Sequence, residues 1–227
     1  MFDYYFKSFV FIQDISYLIT VIVGIKLLKQ FDFSLKIIFA LICIGFISDI
    51  FSLSYLWVFR KQTLFIVNIY SIMEFTLLSL FYITSINSLF FKRLILLFLL
   101  IYSLIGFFNF YINDIFSLSH YKICAFANFL ISCYALCFFI HSLKNNSDKI
   151  STKSPLFWIN SGILIYYMPF IFIYLFTEIL YKTSIEFLNE LGTNFNNILT
   201  LVFMTLVIIG FLKSKNYEIK KERLNLF

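Results

Sequence analysis

Seven stretches of about twenty residues, each an almost unbroken run of apolar side chains, divide this chain, and each is long enough to carry a helix across a hydrocarbon layer about 30 Å thick. They cover approximately residues 9–29, 36–58, 63–85, 94–112, 122–142, 156–179 and 196–212. In lipid every backbone N–H and C=O must be satisfied within the protein, which leaves helices or closed barrels. The runs lack the alternating polar pattern of barrel strands, and 2 prolines and 6 glycines break the chain little. The expected fold is therefore all-α, a polytopic membrane protein built as a seven-transmembrane-helix bundle in one domain over residues 1–227. Composition agrees: 61% of residues are hydrophobic and 13% charged, against about 25% charged in soluble domains.

The basic residues set an expected orientation. With the N-terminus outside, Lys26, Lys29, Lys36, Lys92, Arg93, Lys144, Lys149, Lys153, Lys213, Lys215, Lys220, Lys221 and Arg223 fall inside, 13 of the 18 Lys and Arg. Lys7, Arg60, Lys61, Lys122 and Lys182 fall outside. This asymmetry predicts an outside N-terminus and a cytoplasmic C-terminus, hence an odd number of spans. The expected location is the bacterial inner (cytoplasmic) membrane. The first run carries Asp14 and no small-residue cleavage pattern, so it reads as a retained span rather than a signal peptide. Cys43, Cys124, Cys133 and Cys137 all lie within expected helices and read as packing residues. The segment Tyr181–Phe195 reads either as a short helix on the membrane surface or as a solvated loop.

Polar residues inside the spans are the functional signal, because a charged side chain at the bilayer centre carries an insertion penalty on the order of 2.5–3.5 kcal/mol. Gln13, Tyr17, Thr20 and Gly24 share one face of the first span, with Asp14 beside it. Gly45, Ser48, Asp49 and Ser52 share a face of the second, and Asn68, Ser71 and Glu74 form a slowly turning stripe on the third. With the expected topology, Asp14, Asp49, Asn68, Glu74, Asn128 and Asn197 fall at one depth in the outer half, and Tyr166 and Tyr167 near the middle. The expected ligand-binding set is Asp49, Asn68, Glu74, Asn128, Asn197 and Tyr166, around a cavity that opens outward.

No Lys, Arg or His lies mid-span to neutralise Asp49 or Glu74. Three chemistries follow: neutral acids bonded to Asn and Ser, ionised carboxylates holding a cation or amine, or a paired acid and base. The plain alternative is that both acids, protonated, tie helices together. No metal or cofactor is expected. Zinc hydrolases of the ceramidase and adiponectin-receptor type need three histidines, and this chain has His120 and His141, about 30 Å apart along one helix. Retinal needs a lysine in the seventh span, where the first is Lys213 at its end.

Two segments carry a resemblance. The pattern N-x-Y-x-x-x-E in VNIYSIMEF and P-x-F-W-x-x-x-G-x-L-x-Y-Y in SPLFWINSGILIYY resemble a family of small, uncharacterised seven-helix bacterial integral membrane proteins of unknown activity. The resemblance implies the same architecture and singles out Asn68, Tyr70, Glu74, Pro155, Trp158, Gly162 and Tyr166.

Three functions fit these features. The first is a receptor-like or sensory protein that binds a small or lipidic ligand and signals through a cytoplasmic or membrane partner. The second is an oligomer-forming membrane accessory or effector protein, of a phage-defence or CRISPR-linked kind. The third is a metal-independent intramembrane lipid hydrolase using Asp49 and Glu74. An enzyme is the less favoured class. The expected partners are the bilayer, a second protein or further copies of the chain, with no direct contact to nucleic acid.

Overall fold

The computed structural model describes residues 2–60, 64–112, 119–144, 151–184 and 194–224; within these, side chains are not described at 2–12, 64, 107–112, 119–120, 178, 181 and 215–224. The described residues form seven α-helices: α1 (Phe2–Leu27), α2 (Phe33–Phe59), α3 (Leu64–Ser85), α4 (Leu89–Ile112), α5 (Ser119–Lys144), α6 (Pro155–Thr183) and α7 (Asn196–Leu224), with a 3₁₀ turn at Leu28–Gln30. Six of them, α2 to α7, contain stretches of 18 to 27 residues that are long and apolar enough to cross a membrane. The chain is thus an all-helical, multi-pass bundle.

The helix limits have local causes. The Asp32 carboxylate accepts the Leu35 N–H at 2.9 Å and caps α2. At the other end Arg60 adopts a left-handed conformation, φ 51°, and its N–H returns to the Leu56 carbonyl, closing the last turn. Pro155 opens α6 in the first turn, where a missing N–H costs nothing. The apolar run of the last span ends near residue 212, yet α7 continues to Leu224. Lys and Glu are good helix formers, so the polar tail prolongs the helix beyond its greasy part.

Cross-helix contacts fix directions: α2 and α3 run antiparallel, whereas α1 and α7 run parallel, their C-terminal ends side by side. Ser34 Oγ at the start of α2 lies 3.0 Å from Thr84 Oγ1 at the end of α3, and the Phe31 ring lies 4.6 Å from Phe211 of α7. In sequence around the bundle, α1 packs on α2, α2 on α3, α3 on α5, α5 on α6, α6 on α7 and α7 back on α1. Six helices therefore close a ring. The remaining helix, α4, leans on α3 and α5 from outside; 11% of its span is buried, against 56% for α5.

The two ends of the ring differ. Toward the C-terminal end of the chain, Ile38, Phe81, Phe138, Ile159, Ile163, Val207 and Phe211 are each at most 1% exposed and fill the interior. One polar residue is embedded there. Asn160 accepts the Tyr82 hydroxyl at 2.7 Å and donates to the Ala135 carbonyl at 3.1 Å, joining α3, α5 and α6. Toward the end that holds the N-terminus the interior is hollow.

Candidate functional site

Most hydroxyls in the bundle bond back to their own helix. Thr20 donates to the Ser16 carbonyl, Thr76 to Ile72, Ser161 to Phe157 and Thr177 to Ile173, all at 2.7–2.9 Å. Such groups need no neighbour in lipid and mark no site. Polar side chains that reach another helix are the informative ones, and at the N-terminal end they converge on a single hollow.

That hollow is a cavity of about 370 Å³, within the size range of small-molecule sites. Gln13 and Tyr17 of α1 line it, with Asp49 of α2 and Tyr70, Ser71, Glu74 and Phe75 of α3. Tyr102 enters from α4, and Tyr121, Cys124, Asn128 and Ile131 from α5. Tyr166, Phe170, Ile173 and Tyr174 of α6 and Asn196 of α7 complete the wall. Every helix contributes, which is why no single stretch of sequence announces the site.

Glu74 is held from two sides. The Tyr167 hydroxyl of α6 donates to Oε1 at 2.6 Å and the Tyr70 hydroxyl, one turn away on α3, donates to the same oxygen at 3.1 Å. Both tyrosines engage Oε1, so neither occupies Oε2. A second void of about 10 Å³, the room needed for one water centre, lies between Glu74, Tyr17, Leu41, Tyr70, Tyr167 and Met204. Glu74 thus touches both hollows. Asp49 accepts the Gln13 amide across α1 and α2 at a long 3.4 Å. One turn before it, Gly45 lets two tyrosines approach: a Cβ there would stand 3.2 Å from Tyr70 Oη and 3.3 Å from Tyr17 Cε1. Asn128 is 7% exposed and lines the cavity, and its side chain has no hydrogen-bond partner among the described residues.

Of the six residues expected to bind ligand, Asp49, Glu74, Asn128 and Tyr166 line this one cavity. The other two do not. Asn68 is half-buried outside the lining, and its carbonyl accepts Ser71 Oγ at 2.9 Å. Asn197 is buried in the α7 packing at 4% exposure, while its neighbour Asn196 lines the cavity and accepts the Tyr166 hydroxyl at 3.2 Å. A step of one residue turns about 100° around a helix, enough to exchange wall for packing. Cys124, read as a packing residue, also reaches the wall.

Sequence reasoning passed over most of the aromatic lining. Six of the 15 tyrosines, Tyr17, Tyr70, Tyr102, Tyr121, Tyr166 and Tyr174, line the cavity. Against 33 phenylalanines they look like more of the same apolar composition. The usable signal was tyrosine rather than phenylalanine at depth, because a buried phenol needs a partner. Among the described residues no three His, Cys, Asp or Glu side chains gather as a metal site; the cavity wall offers carboxyl, amide and phenol groups, with the Ser71 hydroxyl and the Cys124 thiol.

Comparison with family models, with curated proteins and with solved structures yields no match to this chain. Fold and site therefore define the class: a multi-pass helical membrane protein with a tyrosine-walled, carboxylate-bearing cavity at one end of its bundle.

Proposed function

We propose that the chain is a receptor-like protein of the bacterial inner membrane that binds a small or lipidic ligand in this cavity and passes its state to a partner protein. In this reading α1 is the seventh span, the N-terminus is outside and the C-terminus cytoplasmic. Lys29, Lys36, Lys92, Arg93, Lys144 and Lys153 sit at the filled end of the ring, which supports that orientation. The observation that carries the reading is that Asp49 and Glu74, on different helices, line the same cavity. Acids serving only as glue between helices need no hollow in front of them.

A ligand in contact with Tyr166 and Asn196 sits at the α6–α7 seam. Pro169 lies in α6 between Tyr166 and Phe170 and takes one hydrogen bond out of the helix ladder there. Occupancy shifts α6 against α7, and α7 carries the shift to its polar end, where a partner reads it. The test is a compound screen by thermal stabilisation of purified wild type, Asp49→Asn and Glu74→Gln. Compounds that stabilise wild type are expected to lose their effect on both variants, with unliganded stability close to wild type. The reading is dropped if every stabilising compound acts equally on all three.

The shared cavity also supports the lipid hydrolase reading, with Asp49 and Glu74 as acid and base. Release of fatty acid from phospholipid by the purified protein, lost in Asp49→Asn, would favour it over the receptor.

A further inference from the structure

The cavity wall has a sign. Asp49 and Glu74 contribute carboxyl groups, six tyrosines contribute rings, and no Lys, Arg or His is among the lining residues. The face of an aromatic ring is the negative part of its quadrupole and attracts a cation placed over it. An anion finds amide and hydroxyl donors here but no cation to balance its charge, whereas a cation finds two carboxyl groups and six rings. Asn128 adds a second, independent pointer. It is an amide more than nine-tenths buried, on the wall, with donors and acceptor unused by the described residues. A guest with polar atoms beside its charge would find a bonding partner in that amide.

We propose that the cavity takes a small organic cation, its ammonium group seated at Glu74 and Asp49 among the tyrosine rings and its remaining polar atoms turned to Asn128. This rests on the ligand-binding reading above and adds the chemical class of the ligand. Tyr70 and Tyr167 both bond Oε1 of Glu74, so an ammonium N–H has Oε2 to approach. A cavity of about 370 Å³ lies at the small end of the range of small-molecule sites, which suits a guest of one ring or a short chain. An aryl-alkyl amine or a trimethylammonium compound has that size. An ammonium-bearing lipid headgroup offers the same chemistry from the bilayer side.

The test uses the full chain in detergent and three probes of matched shape: phenethylammonium, the neutral 2-phenylethanol and the anion 3-phenylpropanoate, with phenyltrimethylammonium as a second cation. Thermal stabilisation and calorimetry are expected to show saturable binding of the cations alone. Glu74→Gln is expected to weaken them by roughly tenfold or more, the scale of a lost hydrogen bond to a charged group. Asp49→Asn serves where Glu74→Gln fails to fold, and Tyr174→Leu weakens the cations more than Tyr174→Phe, which keeps the ring.

Equal binding of 2-phenylethanol, or binding of 3-phenylpropanoate, at the same residues overturns the cation class and leaves ligand binding standing. Failure of both cations at concentrations up to roughly 10 mM, a very weak affinity, in a folded protein overturns the cation class, while the ligand-binding reading stands or falls by the compound screen above. Nanodiscs separate the two sources. Phosphatidylethanolamine that competes with phenethylammonium, where phosphatidylglycerol does not, identifies a headgroup as the ligand; no competition identifies a free amine.

Discussion

Glu74 and Asn160 occupy the same bundle for opposite reasons, and substitution separates them. Asn160 has partners for both ends of its amide within dry packing, so Asn160→Leu orphans the Tyr82 hydroxyl and takes from the Ala135 carbonyl the second of its two bonds, the first being that of the α5 ladder. Buried groups left unbonded lose about 1–3 kcal/mol each, although interhelical bonds in membranes average nearer about 0.6 kcal/mol. The expected result for Asn160→Leu is a loss of about 1–3 kcal/mol in chemical unfolding, with cavity ligands bound as before. Glu74→Gln keeps an acceptor for Tyr70 and Tyr167, and is expected to change stability by less than about 1 kcal/mol while ligand binding falls. Equal destabilisation by the two substitutions would make Glu74 another Asn160. Glu74 was legible in the sequence because an acid in an apolar run stands out. Tyr121 and Tyr174 were not, since nothing local distinguishes a tyrosine facing a cavity from one facing lipid headgroups.

Helix contacts turn on small residues. A Cβ at Gly210 of α7 would lie 2.7 Å from Ile159 Cγ1 and 3.1 Å from the Pro155 carbonyl oxygen. Side chain and backbone of α6 both block it. At Gly106 of α4 the nearest neighbour is Ile72 Cδ1, at 3.3 Å, the far end of a flexible side chain. Gly210→Val is expected to destabilise by about 1–3 kcal/mol, the range of overpacked cores, and Gly106→Ala to change stability by a few tenths of that in thermal melts. Pro169→Ala restores an N–H to the middle of α6; the expected outcome is a higher melting temperature with a blunted response to ligand. The number and place of the helices were legible, because length and hydropathy decide them, while some ends were not: α1 begins at Phe2 rather than near 9, and α7 runs to Leu224 rather than 212. The order of the helices around the ring was not legible either. Hydropathy says nothing about which helix leans outside, and α4 reads like any other span.

At the scale of the whole molecule the ring has a hollow half and a filled half, and their placement across the membrane is open to direct measurement. In a background with Cys43, Cys124, Cys133 and Cys137 replaced, a membrane-impermeant maleimide added to intact spheroplasts is expected to label Arg60→Cys but not Lys153→Cys; both label after lysis. The reverse pattern would turn the cavity toward the cytoplasm. One feature of the ring also bears on how the protein is made. Tyr167 reaches Glu74 from 93 positions further along the chain, and α7 seals the ring against α1, made well before it. Of the two tyrosines that bond Glu74, Tyr70 comes with its own helix, and Tyr167 arrives only when the sixth helix has been made. The wall that encloses this acid is thus complete only when the end of the chain has been delivered to it.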